Sequence, residues 1–100
     1  MNRNEIENEV ENKGFTAPRV TAERIDSLIA GESYHVFPGT TVTICLLKLK
    51  NGFSVTGESA CASPENFDQL MGEKIAFDNA RDKIWALEGY ALRNKLSDPS

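Results

Sequence analysis

The sequence predicts a single α+β domain, and three observations carry that prediction. An Asn51-Gly52 pair separates two β-prone runs, short amphipathic segments precede them, and an apolar-rich helical stretch runs from Pro64 to Leu96. The chain has 100 residues, 40% hydrophobic and 26% charged, which suits one globular domain over residues 1–100. A chain this short buries only about 60–65% of the surface its unfolded form exposes, so a partner subunit would add to a thin margin.

The elements follow in chain order. Residues 4–12 set Ile6 and Val10 four apart among acidic and amide residues, the narrow stripe of a short helix that Lys13-Gly14 closes. An N-terminal helix is therefore expected within residues 1–14. Thr16-Ala17-Pro18-Arg19 is extended, because the residue before proline is pushed out of the helical region. Thr21 then caps a second short helix carrying Ile25, Leu28 and Ile29, which stops before Gly31. Tyr34 to Phe37 reads as a brief strand or turn ended by Pro38-Gly39. From Thr40 to Leu49 the apolar residues fall on both faces, with Val42, Ile44 and Leu46 on one and Cys45, Leu47 and Leu49 on the other. Such a strand is expected to be covered on two sides.

Asn51-Gly52 supplies the two positive-φ positions of a two-residue type I′ turn. That turn sets Cys45 opposite Glu58 and Cys61 opposite Val42, with the two thiols on different faces. A lone hairpin is marginal, so sheets from two subunits are expected to pair or stack. Ser63 stands before Pro64 and Glu65 as an N-cap, opening one long helix or two with a kink. Its apolar residues plot as two stripes, Phe67, Leu70, Met71, Trp85, Leu92 and Leu96 on one and Phe77, Ala80, Ile84, Leu87 and Ala91 on the other. Packing on two sides is again implied. Gly72 and Gly89 each weaken the helix by about 1 kcal/mol relative to alanine, which suggests close approach or a bend at each. Residues 97–100 form a loose tail.

Composition excludes several functions. A net charge of −4 argues against general nucleic-acid or membrane-surface binding, although a few local arginines suffice for a small anion. Cys45 and Cys61 have no metal-ligand spacing around them, and no metal or cofactor is expected. The N-terminus lacks a signal-peptide core, and no run approaches the ~18 apolar residues of a membrane span. A single His35 without a neighbouring acid or nucleophile is thin support for catalysis, and no catalytic residues are expected.

A binding role is better supported. The stretch Asn51 to Phe67 joins a turn, a hydroxyl-rich strand with Gly57, and a capped helix start, and a helix N-terminus beside hydroxyls suits an anion. Caps and turns of this kind also serve the fold alone. Lys74, Asp78, Arg81 and Trp85 fall close together around the helix that carries Phe67, a surface that either stacks a base and holds a phosphate or merely snorkels cations beside core aromatics. Tyr90 with Arg93, and Arg19 with Arg24, are further candidates under the same two readings.

The run Asn51-Gly52-Phe53-Ser54-Val55-Thr56-Gly57-Glu58-Ser59-Ala60-Cys61, then Pro64-Glu65-Asn66-Phe67-Asp68, then Ile84-Trp85-Ala86-Leu87-Glu88-Gly89-Tyr90 with Leu92, resembles a family of small bacteriophage proteins. Thr16 to Thr21 fits as well. That family includes the Thoeris anti-defence (type one) sponges, which capture cyclic nucleotide immune signals without cleaving them. The resemblance implies an α+β fold with N-terminal helices, an antiparallel sheet and a C-terminal helix, assembled into dimers or hexamers in the cytoplasm of the infected host. It implies as ligands cyclic ADP-ribose isomers from TIR enzymes and, in some relatives, cyclic di- and trinucleotides. Asn66, Phe67, Asp68 and Arg93 are then the foremost contacts. Alternatives left open are a protein-interaction module acting on a host or phage protein, and a nucleotide-cleaving enzyme.

Overall fold

The computed structural model describes Ile6 and residues 17–98, and the helix expected over residues 4–12 lies outside these apart from Ile6. Helix α1 (Ala22–Ser27) is followed by strands β1 (Ile29–Val36), β2 (Val42–Leu49) and β3 (Ser54–Ala60), a 3-10 turn (Pro64–Asn66) and helix α2 (Gln69–Ser97). The sheet is antiparallel in the order β1-β2-β3, and α2 packs across the β2 and β3 side of one face. This is the α+β architecture that the sequence predicts.

Thr21 caps α1 as expected, its Oγ1 accepting from the Arg24 N–H at 3.0 Å. The helix ends earlier than its apolar spacing suggests, because Ile29 opens β1 instead of closing α1. Strand β1 is eight residues long where a brief strand or turn was expected. Gly31-Glu32-Ser33 lacks β-prone side chains, yet the β2 edge offers a full row of backbone partners, and tertiary pairing overrides propensity. A bulge between Ile29 and Gly31 absorbs one residue.

The hairpin turn also departs from the expectation. Leu49 N–H donates to Phe53 O at 2.8 Å and Gly52 N–H to Leu49 O at 2.9 Å, enclosing a three-residue loop. Gly52 has φ 91°, and Asn51 is not in the positive-φ region. The turn is therefore the three-residue kind with a left-handed glycine, not type I′. The register moves by one, pairing Cys45 with Gly57 and Val42 with Ala60. Val55, Gly57 and Ser59 consequently face α2, and Cys61 shares that face with Cys45 instead of opposing it. Both cysteines are free thiols. Four residues apart along the ladder, they are separated by roughly 13 Å.

The core is Ile25, Cys45, Leu47, Leu49, Val55, Ala76, Ala80 and Ile84, with Phe77, Trp85 and Tyr34 packed against it. Small residues let the helix lie directly on the strand. A Cβ on Gly57 would overlap the Ala80 nitrogen and the Ala76 carbonyl oxygen, so the close approach expected at this glycine is that of the protein's own helix. Gly72 likewise sits over Thr43, whereas Gly89 has open space around it. Of the two apolar stripes on α2, one is buried at Ala80 and Ile84 but exposed further on at Leu87 and Ala91, while Leu70, Met71 and Leu96 of the other are exposed. Within one chain α2 covers a single face of β2, so the two-sided burial expected for that strand is half realised.

Candidate functional site

The site grows from the break between the 3-10 turn and α2. Ser63 makes no cap hydrogen bond to the backbone; its hydroxyl donates instead to the Glu65 carboxylate at 2.7 Å, which holds that carboxyl below its ordinary range. Phe67 then leaves helical geometry at ψ 124°, and Asp68 is the residue that caps α2. Its Oδ1 accepts from Leu70 N–H at 3.0 Å and Met71 N–H at 3.3 Å. Helix formation thus restarts at Asp68, five residues after the expected cap.

Beside this restart lies a cleft of about 430 Å³ between the end of β3 and the first turns of α2. Asn66, Phe67 and Asp68 line it together with Ser59, Cys61 and Asn79. Three side-chain bonds hold its walls. Ser59 Oγ donates to Gly72 O at 2.7 Å, Asn79 Nδ2 donates to Glu58 O at 2.8 Å, and Thr41 Oγ1 donates to Cys61 O at 2.6 Å. Cys61 Sγ is turned toward Ser63 O at 3.1 Å. Phe67 also lines a second depression with Gly39, Thr40 and Pro64, so its ring stands as a wall between two openings. The arrangement offers an aromatic surface, hydroxyls and amides. It is suited to a flat, hydrogen-bonding ligand, since every heterocyclic base has a face to stack.

The other expected residues lie elsewhere. Arg24 Nε donates to Glu88 Oε1 at 3.0 Å beside a cleft that also holds Leu28, Leu49 and Phe53. Arg81 Nε donates to Asp26 Oδ1 at 2.8 Å, tying α2 to α1. Trp85 packs against the core, and Arg19 is half-buried ahead of α1. Tyr90 is 72% exposed, and Arg93 is exposed near the end of α2. The structure therefore brings together Asn66, Phe67 and Asp68 but not the four arginines, Trp85 or Tyr90. Asn79, Met71 and Ile75 of the cleft were not foreseen. Their signal was present, because Asp68, Met71, Ile75 and Asn79 recur every three or four residues along one edge of α2.

A further groove runs between β1 and α2, lined by the apolar Met71, Ile75 and Phe77 with Tyr34, and by the charged Glu32, Glu73, Lys74 and Asp78. Tyr34 donates to Glu32 Oε2 at 2.9 Å; burial, then that carboxylate, keeps its phenol protonated well beyond the ordinary range. Burial also raises the Cys45 thiol. No Lys or Arg lines the Phe67 cleft, where Glu58 and Asp68 supply the charges. Among the described residues no group of three or more His, Cys, Asp or Glu is placed to hold a metal, and no helix is long and apolar enough to cross a membrane.

Residues 20–96 match a family described as phage protein (N4 Gp49/phage Sf6 gene 66). Neither a curated protein nor a solved structure is significantly similar to the chain.

Proposed function

Because the chain belongs to the N4 Gp49/phage Sf6 gene 66 family of phage proteins, we propose that it acts in the infected host's cytoplasm by binding and sequestering cyclic nucleotide immune signals without cleaving them. The carrying observation is the convergence of Asn66, Phe67 and Asp68 on one cleft with hydroxyl and amide groups. These are three of the four residues that the resemblance to the Thoeris anti-defence sponges singles out, the fourth being Arg93, which lies outside the cleft. Phe67 would stack the adenine ring of a cyclic ADP-ribose isomer, and Asn66 and Asn79 would read its edge.

Phosphates need a cation that this cleft lacks. Arg93 lies at the far end of α2, so it would enter from a neighbouring copy in a dimer or hexamer, with Tyr90 beside it. A site closed between copies suits a sponge, since capture then follows from a rigid, preorganised enclosure.

Titration calorimetry against cyclic ADP-ribose isomers and cyclic di- and trinucleotides tests the reading, with chromatography of the ligand afterwards. Submicromolar binding and intact ligand are expected. Phe67→Ala should weaken binding at least tenfold, in line with about 1–3 kcal/mol for a lost base stack. Altered ligand would make the protein an enzyme. No binding across the panel would favour a protein-interaction module, a second reading that draws support from the exposed Leu70, Met71 and Ile75 along the β1–α2 groove.

A further inference from the structure

Helix α2 packs on β2 and β3, so β1 extends beyond it on the helix side of the sheet. Glu32 and Tyr34 of β1 pair with Leu47 and Cys45, whose side chains face α2, and they point to that same side. Together with the first turns of α2 they bound a groove of about 790 Å³. Leu70 (74% exposed), Met71 (55% exposed) and Ile75 (46% exposed) stand in water there, although a surface helix ordinarily turns such side chains inward. The buried positions of α2 begin only at Ala76.

The charges around this apolar strip are nearly all of one sign. Glu32, Asp68, Glu73 and Asp78 line the groove, with Lys74 alone against them. Among the described residues none of the four carboxylates is held in an ion pair; Glu32 accepts from Tyr34, Glu73 from Gln69 at 3.2 Å, and Asp68 caps α2.

We propose that this groove seats a basic amphipathic helix of a partner protein, its apolar side chains on Leu70, Met71, Ile75 and Phe77 and its lysines or arginines over the carboxylates. From Asp68 to Asp78 the groove follows α2 for about 15 Å, the length of three helical turns. A helix laid there would lie over β1 beside α2, at the spacing of about 8–10 Å usual for packed helices, and would complete a two-helix layer on the three-stranded sheet. The chain's own residues 4–12 are poor occupants, since Glu5, Glu7, Glu9 and Glu11 would set acids against acids. The proposal rests on the protein-interaction reading, to which it gives a partner chemistry, and not on the ligand reading. Leu70 and Glu73 lie outside the Phe67 cleft.

Fluorescence anisotropy of the full chain with a labelled helical peptide of about fifteen leucines and lysines, leucine recurring every three or four residues, tests the proposal. Saturable micromolar binding that weakens as salt is raised is expected. The same peptide with glutamate in place of lysine should bind at least about tenfold more weakly. Leu70→Ser removes an exposed side chain that the fold does not need, and should weaken binding of the basic peptide by about tenfold. Glu73→Gln should weaken it by about threefold, whereas Glu23→Gln, which removes the same charge from the exposed face of α1, should not. A basic peptide that does not bind, an acidic one that binds as well, a Leu70→Ser variant of unchanged affinity, or equal losses from Glu73→Gln and Glu23→Gln would each overturn the proposal. So would a Leu70→Ser or Glu73→Gln chain that sediments at lower mass than the wild type, since the groove would then belong to a second copy. Cyclic-nucleotide titration of the same variants reads the sponge hypothesis separately, so either idea can fail without the other.

Discussion

Thr43 is fully buried opposite Ser59 of β3, and its Oγ1 has no hydrogen-bond partner. Gly72 lies over it, close enough that an added Cβ would come within 3.0 Å of that oxygen. A buried hydroxyl left without a partner costs about 1–3 kcal/mol, whereas valine has the same shape without the polar atom. Thr43→Val should therefore raise stability by about 1 kcal/mol, read as a higher urea midpoint with an unchanged slope. A fall would mean that a water bonds the hydroxyl. Tyr34 shows the opposite economy, a polar atom kept protonated by its setting. Its raised pKa contributes stability in full below the ordinary tyrosine value of about 10, and that contribution is lost as the pH rises through the folded-state value.

At the level of elements, the contact between β3 and α2 is set by Gly57, Ala76 and Ala80. Any side chain at Gly57 would drive the helix backbone off the strand, and the apolar area sealed between them would open. Gly57→Ala should destabilise by about 3 kcal/mol or more, seen as a large drop in Tm, while circular dichroism of surviving folded protein keeps its shape. The sequence made this glycine legible as a place of close approach but not what approaches. Helix α2, the β2–β3 hairpin and the Thr21 cap were likewise legible, since each rests on local chemistry. Strand β1 was not, because its residues are held by the β2 edge. The cleft was legible at Asn66, Phe67 and Asp68, which are contiguous. Arg24 and Arg81 read as phosphate ligands because their partners Glu88 and Asp26 are 64 and 55 residues away. Charge type is visible in a sequence, but who neutralises it is a matter of fold.

For the molecule as a whole, one dimension is unsupported. Helix α2 has 29 residues, about 43 Å, against strands of about 27 Å, so its last turns run past the sheet. Tyr90 and Leu96 are exposed there, and the buried positions of the helix end at Ile84. In a single chain, amides of residues 90–97 should exchange with deuterium at least tenfold faster than those of residues 76–84. Protection that appears in those last turns only at higher protein concentration would place them in an interface.

The three-residue loop at Lys50, Asn51 and Gly52 has a further consequence. It sets the phase of everything downstream in β3, because alternation along a strand admits only two settings. Were the loop one residue shorter, Thr56 or Glu58 would turn beneath α2 and Gly57 would turn to water. The chain would still have nearly the same composition, charge and hydropathy. Which side of this strand is interior is thus assigned by counting, as parity, and no tally of residue types records it.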